Sequence, residues 1–433
     1  MIANHPQPMA LRDLLSQNSR GLHDVVRTGG LEALRHELYQ DLETIYSKVD
    51  NNETPLMYAA REGYRDIVEL LARQVADMSE RDGDHNTALH HACLGGDVET
   101  VKLILDQNVD VNCEGESSRT PVMMAALEGH SGVVELLLRR GADVSLVDVD
   151  GNNTLHLACQ GGDLETVKLI LDQNVDVNCE GESSRTPVMM AALEGHSGVV
   201  ELLLRRDADV SLVDAAGNNT LHHACEGGDV ETVKLILDQN VDVNCEGESS
   251  RTPVMMAALE GHSGVVELLL GRGADASLVD VDGNNTLHLA CQGGDVETVK
   301  LILDQNVDVN CEGESSRTPV MRAALEGHSG VVELLLRRGA DASLVDADDN
   351  NTLHHACEGG DVETVKLILA LNKMDVNARN KYGKTAADVA RDREYHQVVD
   401  LLYEGVGDSG VNVFLQTLMW CIILSCVFMW IFS

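Results

Sequence analysis

Along most of the chain, two short apolar runs alternate with polar stretches in a fixed rhythm. Val122, Met123, Ala125 and Ala126 make one run, and Val133, Val134, Leu136, Leu137 and Leu138 make the next. Apolar positions three and four apart are the spacing of a helix face, so the pair predicts two short helices. A glycine such as Gly63 falls between such runs and predicts the turn that joins them. The apolar face of the second run is too wide for a helix surrounded by water, so neighbouring units must cover it. Ala92-Cys93, Ala125-Ala126 and Ala158-Cys159 occupy the same place in successive pairs and set a period of 33 residues. A period of this length with two helices per unit predicts a solenoid, in which each unit buries its face on the next.

A second period lies over the first. Cys93, Cys159, Cys225, Cys291 and Cys357 fall 66 residues apart, as do Cys113, Cys179, Cys245 and Cys311. Two units therefore make one nearly verbatim block. Helix boundaries follow from local chemistry. The Thr120 hydroxyl is placed to cap the first helix, and Pro121 at the first helical position forfeits no hydrogen bond. Gly141 stands where the second helix ends, and the sister positions hold Asn108, Asn174, Asp207, Asn240, Gly273, Asn306 and Gly339. These residue types tolerate the left-handed conformation that stops a helix.

Composition narrows the function classes. No Phe, Trp or Tyr occurs between Tyr64 and Tyr382, so aliphatic residues and Met must pack the interior. The net charge is -39, from 32 Lys+Arg against 71 Asp+Glu. That balance argues against a phosphate backbone as ligand, so no nucleic acid is expected, and it suits basic protein partners. The cysteines, in a chain without a basic-then-apolar leader, read as reduced thiols.

The residues Thr54-Pro55-Leu56-Met57-Tyr58-Ala59-Ala60, then Gly63, then Ile67-Val68-Glu69-Leu70-Leu71, resemble the ankyrin repeat. The resemblance implies an all-α repeat solenoid of helix-turn-helix units joined by hairpin loops. Thr54, Thr87, Thr120, Asn153, Thr186, Asn219, Thr252, Asn285, Thr318, Asn351 and Thr385 mark the helix start of eleven units. Residues 1–20 are expected to be a flexible lead-in, and residues 21–404 the array, opening on a degenerate cap. Residues 405–412 are expected to be a linker to residues 413–432. That last run, VFLQTLMWCIILSCVFMWIF, has no charged residue, and as a helix it would span about 30 Å, the thickness of a bilayer's hydrocarbon. It is expected to be a single transmembrane helix of the tail-anchored kind, leaving the repeats in the cytosol.

Three motifs with possible chemistry have simpler readings. His90-His91 and Cys93 could suggest zinc, which needs at least three tetrahedral ligands, but adjacent histidines on a helix point in different directions and the sister units read His156-Leu157 and His288-Leu289, so they fit a structural role. Asp148-Val149-Asp150-Gly151 lacks the glycine and glutamate spacing of a calcium loop and fits a hairpin. Gly95-Gly96 is followed by no Lys-Ser/Thr and fits the turn between helices. No nucleophile, base and orienting group recur as a set, so neither an enzyme, a cofactor nor a small-molecule substrate is expected. The resemblance implies that partners meet the hairpin tips and the exposed side of the first helix. The tips alternate in chemistry, with Glu114, Glu116 and Arg119 in one unit and Val147, Val149 and Asn152 in the next. Glu180, Glu182 and Arg185 repeat the first set. One position on the first helix holds Tyr58, His91, Met124, Leu157, Met190, His223, Met256, Leu289, Arg322 and His355. A close-packed core would not accept that range, so partial exposure on the binding face is expected there. The function these features imply is a membrane-anchored scaffold binding protein partners, with a soluble regulator that masks a partner's basic segment as the alternative.

Overall fold

The computed structural model describes residues 50–73, 77–371 and 374–407, together with Val26 and Lys48. Among them are 22 α-helices, one pair for each of the eleven units marked by the helix-start residues. Pro121–Leu127 and Ser131–Arg139 form one pair, and Thr154–Gly161 and Leu164–Leu171 the next. The described residues contain no strand, only isolated antiparallel bridges such as Val147 with Asn153 and Val279 with Asn285. Contacts divide the chain into two compact units, one through Gln239 and one from Asn240.

Helices of seven to nine residues do not persist alone in water, so their stability comes from stacking. In the first unit, Pro121–Leu127 packs against Thr154–Gly161, which packs against Pro187–Leu193. Val133, Val134 and Leu137 on the second helix are fully buried, as are Leu155, Ala158 and Cys159 on the next first helix. Each large aliphatic side chain covered in this way contributes roughly 1.5–3 kcal/mol. At the first glycine of the Gly-Gly pairs the backbone of the preceding unit leaves no room for a side chain. A Cβ on Gly161 would lie 2.1 Å from the Leu127 carbonyl oxygen of the unit before it.

The helix stops behave as their residue types predict. Asn108, Asn174 and Asp207 in the first unit, and Asn240, Gly273, Asn306 and Gly339 in the second, all have positive φ, as has Gly141. The expected hydroxyl cap differs. The Thr120 hydroxyl is buried without a hydrogen-bond partner, and its backbone N–H instead donates to Met123 Sδ at 3.3 Å. In the alternate units Asn153 does cap, its Oδ1 accepting from the N–H groups of Leu155 and His156 at 3.0 and 3.2 Å. At Thr54 and Thr385 the hydroxyl does cap, accepting the N–H groups of Met57 and Asp388 at 3.3 Å each.

The last helix, His396–Gly407, runs into the stretch expected to be a linker from residue 405. Among the described residues no helix is long and apolar enough to cross a membrane. The expected span, residues 413–432, lies outside the described residues, as do the lead-in over residues 1–20 and most of the cap expected from residue 21.

Candidate partner-binding face

Each unit ends in a hairpin tip, and the two tip chemistries fold differently. In the acidic tip the chain makes a single turn at Glu116–Ser118, closed by the Gly115 N–H on the Arg119 carbonyl at 2.8 Å. Ser117 and Ser118 both take left-handed backbone angles, with φ of 53° and 57°. For serine such a conformation costs on the order of 1–3 kcal/mol and persists only where its surroundings hold it. Here the Ser117 carbonyl accepts the Val149 N–H of the next tip at 3.0 Å. The same bond recurs in the second unit from Val281 to Ser249 at 3.0 Å and from Ala347 to Ser315 at 2.9 Å.

The aliphatic tip is organised around a buried aspartate. Asp148 Oδ1 accepts from the N–H groups of Asp150 and Asn152 at 3.1 and 2.9 Å, which fixes the turn. Its other oxygen faces Arg119 Nε of the preceding tip at 3.4 Å. Asn152 then reaches forward, its Oδ1 accepting the Glu182 N–H at 3.0 Å. Asn284 and Glu314 repeat that bond at 3.1 Å. Within each compact unit the tips are thereby tied in sequence, Ser117 to Val149 and Asn152 to Glu182 in the first, Ser249 to Val281 and Asn284 to Glu314 in the second. The ladder leaves Val147 53% exposed and Val149 66% exposed, on tips that do not bend to cover them.

The residues expected to meet a partner separate into two groups. Glu114, Glu116, Glu180, Glu182, Val147 and Val149 are exposed. Arg119 and Arg185 are half-buried and turn toward Asp148 and Asp214, at 3.4 and 4.0 Å. Asn152 is buried, and its amide oxygen serves the backbone of the next tip. Arg322 is only 9% exposed, its Nη2 donating to Glu314 Oε2 at 2.8 Å and to Asn284 Oδ1 at 3.4 Å.

The variable position on the first helix is also corrected. Met124, Leu157, Met190, His223, Leu289 and His355 are all buried there, and only Tyr58 and Met256 are half-buried. The polar side chains at this position are accommodated because each pairs with a polar group of a hairpin. His91, His223 and His355 donate through Nε2 to Asp82, Asp214 and Asp346, at 2.8, 2.9 and 3.0 Å. Where Leu157 and Leu289 stand instead, the matching aspartates Asp148 and Asp280 keep their turn bonds and their arginine neighbours, Arg119 and Arg251. The choice of His or Leu follows a period of 132 residues and is accompanied by Ala215 with Glu226 against Val149 with Gln160. The signal for the buried anchors was present in the sequence as an Asp four residues before an Asn, at Asp148 and Asn152, in every second unit.

The histidines one position earlier cap helices. His90 Nδ1 accepts the Thr87 N–H at 3.1 Å, and its Nε2 donates to the carbonyls of Cys113 and Arg119 at 3.1 and 3.2 Å. Both ring nitrogens are engaged with protein, and burial lowers the imidazole to about 4. His288 is likewise lowered to about 4, by burial. Burial has the opposite effect on the thiols, pushing Cys357 up to about 12. Neutral imidazoles and protonated thiols are held here as packing and capping groups. Among the described residues no group of three or more His, Cys, Asp or Glu is placed to hold a metal ion.

Stacked helix pairs with a tied row of exposed hairpin tips define a helical repeat protein. The chain belongs to the ankyrin-repeat family: the family model for ankyrin repeats (3 copies) matches residues 56–148, 122–214, 188–280, 254–346 and 330–413. No curated protein matches the sequence. Ankyrin repeats are in general non-enzymatic modules of protein–protein interaction.

Proposed function

We propose that this chain is a protein–protein interaction scaffold that takes its partner on the hairpin tips and works at a membrane, with the repeats on the cytosolic side. The binding half rests on one observation. Exposed carboxylates at Glu116 and Glu182, which no ion pair holds among the described residues, alternate with exposed valines, at Val147 and Val149, on tips tied into a ladder. Exposed apolar side chains set among charges mark an interaction surface, and a preformed surface loses little freedom on binding. The surplus of carboxylates favours a basic partner. The membrane half is supported by residues 413–432, which carry no charge over a length of about 30 Å as a helix.

Proximity labelling from the N-terminus of the full chain tests both halves. The wild type should label a defined protein set together with membrane neighbours. Combined substitution Val147→Ser, Val149→Ser, Val279→Ser and Val281→Ser should remove the protein set and keep the membrane neighbours; an unchanged protein set overturns the face. Deleting residues 413–432 should release the chain on carbonate extraction; continued resistance overturns the anchor.

The net charge of -39 favours a second reading, a soluble regulator that masks a partner's basic segment with residues 413–432 buried in the complex. Release of the intact wild-type chain by carbonate would support that reading over the first.

A further inference from the structure

We propose that the closing repeat unit is a second interaction surface, and that its occupant is a bilayer with anionic headgroups, met by Lys384, Arg391 and the rings of Tyr382 and Tyr403. The inference rests on residues 413–432 being the membrane anchor.

Charge singles out this unit. Over residues 378–396, Arg379, Lys381, Lys384, Arg391 and Arg393 stand against Asp388, Asp392 and Glu394. The corresponding stretch one unit earlier, residues 344–362, holds Asp346, Asp348, Asp349, Glu358 and Asp361 and no Lys or Arg. A chain of net charge -39 is repelled by an anionic surface, but salt confines that field to about 8–10 Å. The part nearest the anchor therefore decides whether the array stands off or rests on the headgroups. The last described helix ends at Gly407, and the chain from there to Val413 reaches at most about 22 Å.

Geometry gathers the groups. Lys384 Nζ of the closing hairpin meets Asp392 Oδ2, at the end of the helix Ala386–Asp392, at 2.7 Å. Arg391 Nη1 donates to Asp388 Oδ1 at 2.8 Å, and its guanidinium lies 5.8 Å from the centre of the Tyr403 ring, on the helix His396–Gly407. Hairpin, first helix and second helix of the unit are thus joined in one patch. Lys384 and Arg391 are exposed, and exposed ion pairs hold their partners weakly, so each cation can turn to a lipid phosphate or carboxylate. Lys381 and Arg393 reach the other way, to Asp348 and Glu358 at 3.2 and 2.5 Å, and offset the acidic unit behind them.

The rings supply the apolar share. Tyr382 is 66% exposed and Tyr403 55% exposed. An aromatic body with a polar tip suits the headgroup layer, where Tyr is enriched. No Phe, Trp or Tyr occurs between Tyr64 and Tyr382, so the array before this unit has no such groups to offer.

The test uses the full chain, reconstituted into vesicles of phosphatidylcholine alone or with about 30% phosphatidylserine. Hydrogen exchange is followed over residues 379–397, with the helix Thr154–Gly161 as internal reference. At about 100 mM salt, exchange in the closing unit should be roughly three-fold slower in the phosphatidylserine vesicles, and the difference should fade at about 500 mM salt. Lys384→Gln combined with Arg391→Gln should abolish the difference. Asp392→Asn, which removes the carboxylate facing Lys384, should enlarge it. Equal exchange in the two vesicle types, with the chain floating with both, overturns the surface and leaves the anchor standing. Failure to float with either overturns the anchor and this inference with it. Slowing that persists in the double variant, with an unchanged thermal melt, overturns the assignment to Lys384 and Arg391.

Discussion

His223 donates to the buried Asp214 carboxylate at 2.9 Å, while 66 residues further on Leu289 stands at the matching place and its aspartate, Asp280, manages without an imidazole. The aspartate is thus the anchor and the histidine an accessory. His223→Leu should change stability by less than about 1 kcal/mol, since the sister units already pack leucine there. Asp214→Ala should cost about 2–3 kcal/mol, because it strands the N–H groups of Ala216 and Asn218, which donate to Asp214 Oδ1 at 2.9 Å each. Urea unfolding of the two variants, compared at the midpoint, checks the ranking.

Asn152 should matter to the tip that follows it more than to its own. Asn152→Ala removes the acceptor of the Glu182 N–H and should cost about 1–3 kcal/mol, whereas Asn152→Asp keeps an acceptor and should cost less. Hydrogen exchange at residues 180–185 reads the effect directly. Exchange there should accelerate in the alanine variant and stay near wild type in the aspartate variant.

Two glycines of one block should respond oppositely. At Gly161 a Cβ would meet the Leu127 carbonyl oxygen at 2.1 Å, so Gly161→Ala must push neighbouring units apart and should cost more than about 3 kcal/mol. At Gly141, with φ of +89°, nothing lies within 4 Å of a new Cβ, and the sister residues Asn108 and Asn174 share the left-handed conformation. Gly141→Asn should stay within about 1 kcal/mol of wild type in thermal melts.

Acid should weaken the array before its carboxylates titrate. His90 and His288 have folded values near 4, against an ordinary 6.5, because burial disfavours the charged ring. Between those values the unfolded chain binds more protons than the folded one, so stability rises with pH through the window and is lost as pH falls from 6.5 toward 4. Each such histidine should account for up to about 3 kcal/mol. His288→Met tests the cause, because Met255 and Met321 occupy the same position in the adjacent units and accept the same backbone N–H through sulfur, at 3.4 Å for each. In that variant the loss between pH 6.5 and pH 5 should shrink measurably in urea titrations.

What the sequence determined by itself was set by near neighbours along the chain. The 33-residue period, the eleven helix pairs and the left-handed stops at Asn108, Gly141 and Asn174 depend on spacing within one helix and on single-residue backbone preference. The exposure of Glu116 and Val149 was legible for the same reason, since a hairpin tip is local. What only the tertiary structure decided depends on residues about 30 positions away. Asn152 read as a tip residue, yet its partner is the Glu182 N–H of the next unit. The position of Met124, His223 and Arg322 read as partly exposed because it varies, yet all three are buried, and Arg322 is held by Asn284 and Glu314 of two successive hairpins. Variation at a site shows that its neighbours differ; whether water is one of them is settled only when the next unit packs against it.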